Sequence, residues 1–322
     1  MAGPRIGLVG SGTMGSLHAR VINESPRATL AWIADPREDV GREIAARFAT
    51  EWLEQMDTGS VDAMVIAAAT EVHHQLALQA LDAGIPLLVE KPLADTLEHA
   101  REIVDRSEVS GIPLLCGFLE RYNPAIRTAM DFVEQPIYAV ATRHSPYVPR
   151  IRTGVASDLL IHDLDTMIRL FGRPPESVEG HLGYFRPESS PRAEDVADAT
   201  LRFSHGGIGS VSASRISQRK VRTLVISELD RQIELDLVRQ DITVYRHVEN
   251  AFAEESGLGY SQQTVIDIPV IRHQREPLAT QLDLFVDLLE GTADAKEQRS
   301  AILPPHELLE AVRSSAAGGS GG

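Results

Sequence analysis

The chain has 322 residues, one cysteine and a formal net charge of −15 at pH 7. At about 150 residues per domain this length suggests two domains, with ample chain to bury a core without disulfide or metal staples. The acidic balance argues against broad binding to nucleic acid or anionic membranes, and a hydrophobic content of 43% argues against disorder. Cys116 has no internal partner for a disulfide and sits in an apolar run, so a buried thiol and a cytoplasmic location are expected. With a strand pattern starting at Arg5 no signal peptide is expected, and no apolar run approaches the ~20 residues of a membrane helix.

Short apolar runs alternate with helical patterns over the first third of the chain. Arg5–Val9, Thr29–Ala34, Asp62–Ala69, Ile85–Val89 and Ile112–Gly117 read as strands. Thr13–Asn23, Pro36–Phe48, Glu71–Ala83 and Thr96–Val109 read as helices between them. Continuous apolar strands separated by helices predict a parallel sheet covered on both faces. The pattern changes after Gly117. Helices are predicted at Asn123–Val133 and Ser157–Phe171, followed by alternating segments at Ala197–Phe203, Gly207–Ser214, Arg222–Ile226, Gln232–Leu237 and Ile242–Tyr245. Alternation of that kind predicts a mostly antiparallel sheet. Helices return near Leu278–Glu290 and His306–Ser314.

Gly10-Ser-Gly12-Thr13-Met14-Gly15 has the G-x-G-x-x-G spacing, directly after a strand and opening a helix, with Asp35 twenty residues beyond Gly15. That context is the dinucleotide fingerprint. Gly10 would make the tight turn, Gly12 would let the backbone approach a pyrophosphate, and Gly15 would let helix and strand pack closely. The helix N-terminus would add partial positive charge without a basic side chain. Asp35 would bond the ribose hydroxyls and repel a 2′-phosphate, which predicts NAD rather than NADP. Arg37 is the one feature nearby that could accommodate that phosphate. The expected architecture is therefore α/β. It comprises a Rossmann dinucleotide-binding domain over residues 1–120, an α+β domain with a large open, mostly antiparallel sheet over 121–317, and a linker-like tail at 318–322.

Two further groups carry possible chemistry. Glu90-Lys91-Pro92 ends the fourth of the clear apolar runs, at the edge where open α/β sheets bind ligands. Pro92 disfavours helix at Lys91, and a lysine held there could stabilise a developing alkoxide. Spacing alone leaves it equally open to being a surface lysine. In Asp158-Leu-Leu-Ile-His162-Asp-Leu-Asp165, helical spacing puts Asp158, His162, Asp165 and Arg169 on one stripe. A histidine flanked by carboxylates suits a general base. Most such stripes are solvated charged faces, and the residues alone favour that reading. Asp158, His162 and His73 or His74 could be assembled into a ligand set, but no H-e-x-x-H or cysteine pair supports one, and no metal is expected. One of His73 and His74 could face a nicotinamide crevice, and His18 reads as structural.

Together these residues resemble the family of glucose–fructose oxidoreductases, inositol dehydrogenases and rhizopine-catabolism proteins. The markers are the Gly10–Gly15 loop, His73 before an Ala-rich helix, Glu90-Lys91-Pro92 and the Asp158-x-x-x-His162 helix, and the likeness runs from Arg5 to about Leu309. The resemblance implies that Lys91 touches the reacting hydroxyl, that His162 accepts its proton and that Asp158 binds and positions substrate. It implies cofactor contacts from Gly10, Gly12, Thr13, Met14, Gly15, Asp35, Arg37, Ala68, His73, Glu90 and Lys91. It also implies a cis Lys91–Pro92 bond, and self-association as a homodimer or homotetramer through the second domain's sheet. Glu120-Arg-Tyr-Asn-Pro-Ala125 and Ser145-Pro-Tyr147-Val-Pro-Arg150 look like the branch of UDP-N-acetylglucosamine 3-dehydrogenases and related nucleotide-sugar dehydrogenases. Ala68-Ala69 and Leu160 depart from that pattern and leave substrate identity more open than reaction class.

No acidic residue lies between Glu134 and Asp158, while Arg143, His144, Arg150 and Arg152 do. Arginine suits bidentate phosphate binding, so Arg143 or Arg150, with Tyr147, is expected to meet a substrate diphosphate. A second acid-free stretch, Ala199–Ser227, holds Arg215, Arg219, Lys220 and Arg222, with subunit contact as an equal candidate. The expected function is NAD-dependent oxidation of a ring hydroxyl, at C3, on a nucleotide-activated hexose or hexosamine. The alternatives are an inositol, free-sugar or aminoglycoside dehydrogenase, an NAD-using glycosidase, and a dinucleotide-binding regulator without catalysis.

Overall fold

Strands that are apolar without alternation have both faces covered, and the first sheet follows that rule. The computed structural model describes residues 3–149, 153–190, 193–254, 257–271 and 275–318, and side chains among these outside 249–261. Two compact units emerge: Met1–Tyr122 with Arg275–Glu307, and Asn123–Gln274 with Leu308–Gly322.

The first unit begins β1 (Arg5–Val9), α1 (Thr13–Glu24), β2 (Thr29–Ala34), α2 (Glu38–Arg47), β3 (Glu51–Leu53) and β4 (Ala63–Ile66). It continues α3 (Thr70–Asp82), β5 (Leu87–Val89), α4 (Leu97–Ser110) and β6 (Leu114–Cys116). All six strands run parallel in the order β3-β2-β1-β4-β5-β6. The order reverses direction between β1 and β4, and ligands of open α/β sheets bind at that switch point, beyond the carboxyl ends of the strands. Ile6, Leu8, Val65, Leu88 and Leu115 form the centre of the core. Cys116 is a buried cysteine outside any disulfide, at the end of β6.

The sequence places its two C-terminal helices, Leu278–Glu290 and His306–Ser314, in the second domain; the structure has three helices over that stretch. The structure divides them differently. α7 (Pro277–Leu289) inserts Leu278, Leu282, Phe285 and Leu288 into the core of the first unit, and α8 (Ala295–Ser300) packs on β6. α9 (Leu303–Gly318) follows. Apolar periodicity reports that a helix has a buried face, but not which sheet covers it.

The second unit holds α5 (Pro124–Met130), β7 (Tyr138–His144), a π-helical turn at Ala156–Leu160 and α6 (Ile161–Phe171). Seven strands follow: β8 (Ser177–Gly183), β9 (Val196–Arg202), β10 (Ile208–Ser214), β11 (Val221–Ser227), β12 (Gln232–Asp236), β13 (Asp241–Glu254) and β14 (Gly257–Asp267). They join β7 in an eight-stranded sheet ordered β14-β13-β12-β11-β7-β10-β9-β8. The pairing is antiparallel except between β7 and β10, which run parallel with Tyr138 opposite Ile208 and His144 opposite Ser214. The sequence reading omitted β7, β8 and β14. It also expected an uninterrupted α-helix from Ser157, where the chain instead begins with the π turn.

Period-two alternation places Ala139, Ala141 and Arg143 of β7 on the covered face, beneath α6. Arg143 is 2% exposed. Its Nε donates to Asp163 Oδ2 at 2.9 Å and its Nη2 to Asp163 Oδ1 at 2.8 Å. Here Asp163→Ala would remove the bidentate partner of a buried guanidinium, which costs about 3–5 kcal/mol. Replacing both residues by apolar ones of similar size should cost far less. Urea denaturation midpoints of the single and double variants check this difference.

Candidate active site

The glycine loop is shaped by two close approaches and one opening. Gly10 has φ +99°, and a Cβ there would meet the Ala67 carbonyl oxygen at 2.5 Å. A Cβ on Gly15 would meet the Gly10 carbonyl oxygen at 1.9 Å, so α1 packs hard against the turn. Gly12 is different: a Cβ there would meet nothing within 4 Å. Gly12 caps α1 and offers no side chain to the N–H groups of the first turn, where Thr13 is exposed and Met14 packs against the core. Backbone donors beside open space, at the positive end of a helix dipole, suit a dinucleotide diphosphate.

Asp35 stands at the end of β2 and is held from two sides. Its Oδ2 accepts from Ser11 N at 2.9 Å and Ser11 Oγ at 2.6 Å. Arg37 Nε donates to Oδ1 at 2.9 Å, and Arg37 Nη2 donates to Oδ2 at 2.8 Å. Burial alone would raise the Asp35 carboxyl, but the bonds from Arg37 and Ser11 outweigh it and hold the group well below the usual carboxylate range. Arg37 is thus engaged with Asp35, the carboxylate expected to meet the ribose hydroxyls, and such a pair suits NAD.

Two residues expected to touch the cofactor are instead turned inward. His73 is 1% exposed, with Nδ1 at 3.1 Å from Pro92 O and Nε2 at 3.1 Å from Ala68 O. Burial pushes its imidazole below the ordinary histidine value, against the raising effect of those carbonyls. Its ring therefore lies between two backbone segments, and in its neutral form donates to one of these carbonyls. Glu90 is 6% exposed, and its Oε1 meets His18 Nε2 on α1 at 2.8 Å. Lys91 N donates to Glu90 Oε2 at 3.2 Å, and the Lys91–Pro92 bond is cis. Lys91 is half-buried just beyond β5. The carboxyl ends of β1, β2, β4 and β5 thus carry Gly10–Gly15, Asp35, Ala68 and Lys91 within one unit.

In the second unit, Asp158 lies in the π turn and His162 opens α6, both half-buried. Asp158 Oδ2 accepts from Arg215 Nη2 at 2.9 Å. Arg215 is buried, and its N–H bonds the Asp195 carbonyl. Glu194 Oε1 accepts from Ala156 N at 2.7 Å and anchors the start of the turn. The expected stripe divides here: Asp165 is buried and Arg169 exposed. π-Helical turns are frequent at functional sites, where they re-aim side chains. Sequence reasoning did not connect Arg215 with Asp158. A usable signal existed, since alternation through Val211 and Ala213 puts Arg215 on the covered face.

The arginines proposed for a diphosphate fare differently. Arg143 is committed to Asp163 on the covered face of the sheet, so it does not present its guanidinium to substrate. Its place in an acid-free stretch could not reveal which face it occupies. Arg150 lies outside the described residues. Tyr147 is half-buried, with the Arg186 guanidinium carbon 4.6 Å from its ring centroid.

Asp35→Ala removes charge-assisted hydrogen bonds of about 1.5–3 kcal/mol each, so the NADH dissociation constant should rise about 10-fold or more. Fluorescence titration measures it. The lowered value of His73 also fixes a sign. The unfolded chain takes up a proton below about pH 6.5 while the folded ring still resists it, so stability is full above that pH and falls as pH drops through it. The acid-side loss of melting temperature should be shallower in His73→Gln than in the parent chain.

Residues 4–118 match the model of an oxidoreductase family with an NAD-binding Rossmann fold, and residues 126–231 match the GFO/IDH/MocA C-terminal domain. Together the two matches take in more than half of the chain. UDP-N-acetylglucosamine 3-dehydrogenase of Acidithiobacillus ferrooxidans is 27% identical over 295 residues, 88% of each chain. The scyllo-inositol 2-dehydrogenase (NAD(+)) of Bacillus subtilis is 24% identical over 324 residues, 92% of this chain and 95% of the other. The crystal structure of GenD2 from gentamicin A biosynthesis, in complex with NAD, matches with a TM-score of 0.83 at 22% identity, over 99% of this chain and 95% of that one, a likeness of fold. The chain belongs to the Gfo/Idh/MocA family of oxidoreductases and carries that family's NAD-binding Rossmann domain.

Proposed function

We propose that the chain is an NAD-dependent dehydrogenase that oxidises a ring hydroxyl, at C3, of a nucleotide-activated hexosamine such as UDP-N-acetylglucosamine. The observation that carries the reaction class is the Asp158–Arg215 pair in the π turn that leads into His162. A carboxylate held by a buried arginine is fixed in direction, as a group that positions substrate beside a base requires. His162 accepts the hydroxyl proton. Lys91 stabilises the alkoxide that develops as the proton leaves. NAD, when bound, would supply the hydride acceptor that turning alcohol to ketone requires, with one proton released. The residues that would hold NAD are the Gly10–Gly15 backbone and Asp35.

The nucleotide-sugar assignment is supported by the Acidithiobacillus relative, which aligns over most of both chains. The Bacillus inositol dehydrogenase aligns over a similar span and supports a cyclic polyol as the second reading. Arg150 and Tyr147 are assigned to the substrate diphosphate. The uncovered face of the eight-stranded sheet, where Tyr138 and Ile208 are exposed side by side, is assigned to self-association as a dimer or tetramer.

An NADH-formation screen across nucleotide sugars, free sugars and inositols tests these readings. The strongest kcat/KM is expected with a UDP-hexosamine, and a preference for inositols would replace that substrate by the polyol. Release of an aglycone without net NADH would indicate a glycosidase. His162→Ala should lower kcat by about 10²- to 10⁴-fold. Arg150→Ala should raise KM for the nucleotide sugar but not for the free sugar.

A further inference from the structure

Four consecutive residues, Glu90 to Leu93, are gripped by three buried histidines from three different helices. His18 on α1 bonds the Glu90 carboxylate at 2.8 Å. His73 on α3 lies 3.1 Å from the Pro92 carbonyl oxygen. His306 on α9 accepts the Leu93 N–H at Nε2, 2.9 Å away, and its Nδ1 lies 2.7 Å from the Ile302 carbonyl oxygen. All three rings are at most 5% exposed. Accepting an N–H at Nε2 requires an unprotonated nitrogen there, which fixes His306 as the Nδ1–H tautomer. Phe118 packs edge-on against that ring at 5.6 Å. Gly117 leaves room for the Glu90 side chain, since a Cβ there would meet Glu90 Oε2 at 2.6 Å.

A four-residue segment needs no such investment merely to end a strand. Loops run over surfaces because their backbone groups need partners. Here a loop is drawn into the interior, and side chains supply the partners. Lys91 is the one residue of the four that is not buried. We propose that His18, His73 and His306 are positioning residues that clamp the Glu90–Leu93 loop and thereby aim Lys91. The proposal rests on the assignment of Lys91 to the reaction. His18 gives the clamp a second consequence: it lies on the helix whose N-terminus is shaped for the diphosphate, so the cofactor site and the Lys91 loop share one rigid element. Misplacing a catalytic group by about 1 Å costs on the order of 10²-fold in rate, so a loosened clamp should act on kcat.

The test uses the whole enzyme with leucine and glutamine variants at His18 and His306. Glutamine keeps a polar atom near the Nε2 position, whereas leucine keeps bulk alone. H18L and H306L should lower kcat about 10- to 100-fold, with the NADH dissociation constant changed less than about threefold. H18Q and H306Q should recover most of the rate. Amide hydrogen exchange of residues 90–93 should quicken at least tenfold in the leucine variants, with β1 unchanged. Unchanged exchange at 90–93 would overturn the clamp, whatever happens to kcat. If the leucine variants do not fold, nitrogen-15 NMR of the wild-type imidazoles decides: the Nδ1–H tautomer at His306 supports the clamp, and an Nε2–H tautomer overturns it. Lys91→Met separates the two assignments. Retained activity there, with exchange at 90–93 still protected, would sink the role of Lys91 and leave the clamp standing.

Discussion

A charged or strongly polar group removed from water must find a partner, and the fold is organised around meeting that demand at a few points. Asp35, Glu90, Arg143, Arg215 and Asp163 are all buried, and each meets an opposite charge or a histidine at hydrogen-bond distance. Each of these pairs joins two elements far apart in sequence, apart from Asp35 with Arg37. Unmet, such groups would cost several kcal/mol apiece. Met, they fix directions that apolar packing leaves loose, because a hydrogen bond weakens steeply with angle and a methyl contact does not. Of the half-buried groups assigned to chemistry, Lys91 sits next to one of these fixed pairs and Asp158 belongs to another.

The same logic explains how an acidic chain holds a phosphate-rich cofactor. The local field at a helix end and a run of backbone donors acts over a few ångströms, well inside the Debye length of ~8 Å at physiological salt. Carboxylates elsewhere on the surface are screened from that point. Asp35, a carboxylate bonded to Ser11 within the loop, is compensated by Arg37 and by the Ser11 N–H and hydroxyl.

The dinucleotide half was legible because its signals are local. Gly10, Gly12 and Gly15 are dictated by backbone contacts within a single turn, and continuous apolar runs mark parallel strands wherever they occur. β3 was not legible, being a three-residue edge strand. In the second unit the informative signals are non-local. β7 carries Tyr138, Thr142 and Arg143, and its alternation becomes readable once Arg143 is known to be inward and paired. Arg143 reads as an anion ligand and Arg215 equally as an anion or subunit contact, because composition counts charges without assigning them to faces. The π turn is invisible to periodicity, since one extra residue per turn shifts the stripe without changing the residue types. His18, His73 and His306 are dispersed along the chain, and nothing in their spacing announces that they meet one loop.

The single parallel pair in the eight-stranded sheet has a consequence for how the protein acquires its activity. β7 cannot reach β10 by a hairpin, so the chain between them must first be laid down, and that connection contains the π turn, α6, β8 and β9. α6 packs on both strands of the pair. The platform on which His162 and Asp158 stand is therefore finished by strands synthesised after them. A nascent or partly folded chain that has completed its dinucleotide sheet still lacks that platform. Closure of contacts of this sequence separation is slow relative to local folding. The first unit also waits on late-made chain, because α7 supplies part of its core, so neither half of the protein is complete until the C-terminal helices have been made.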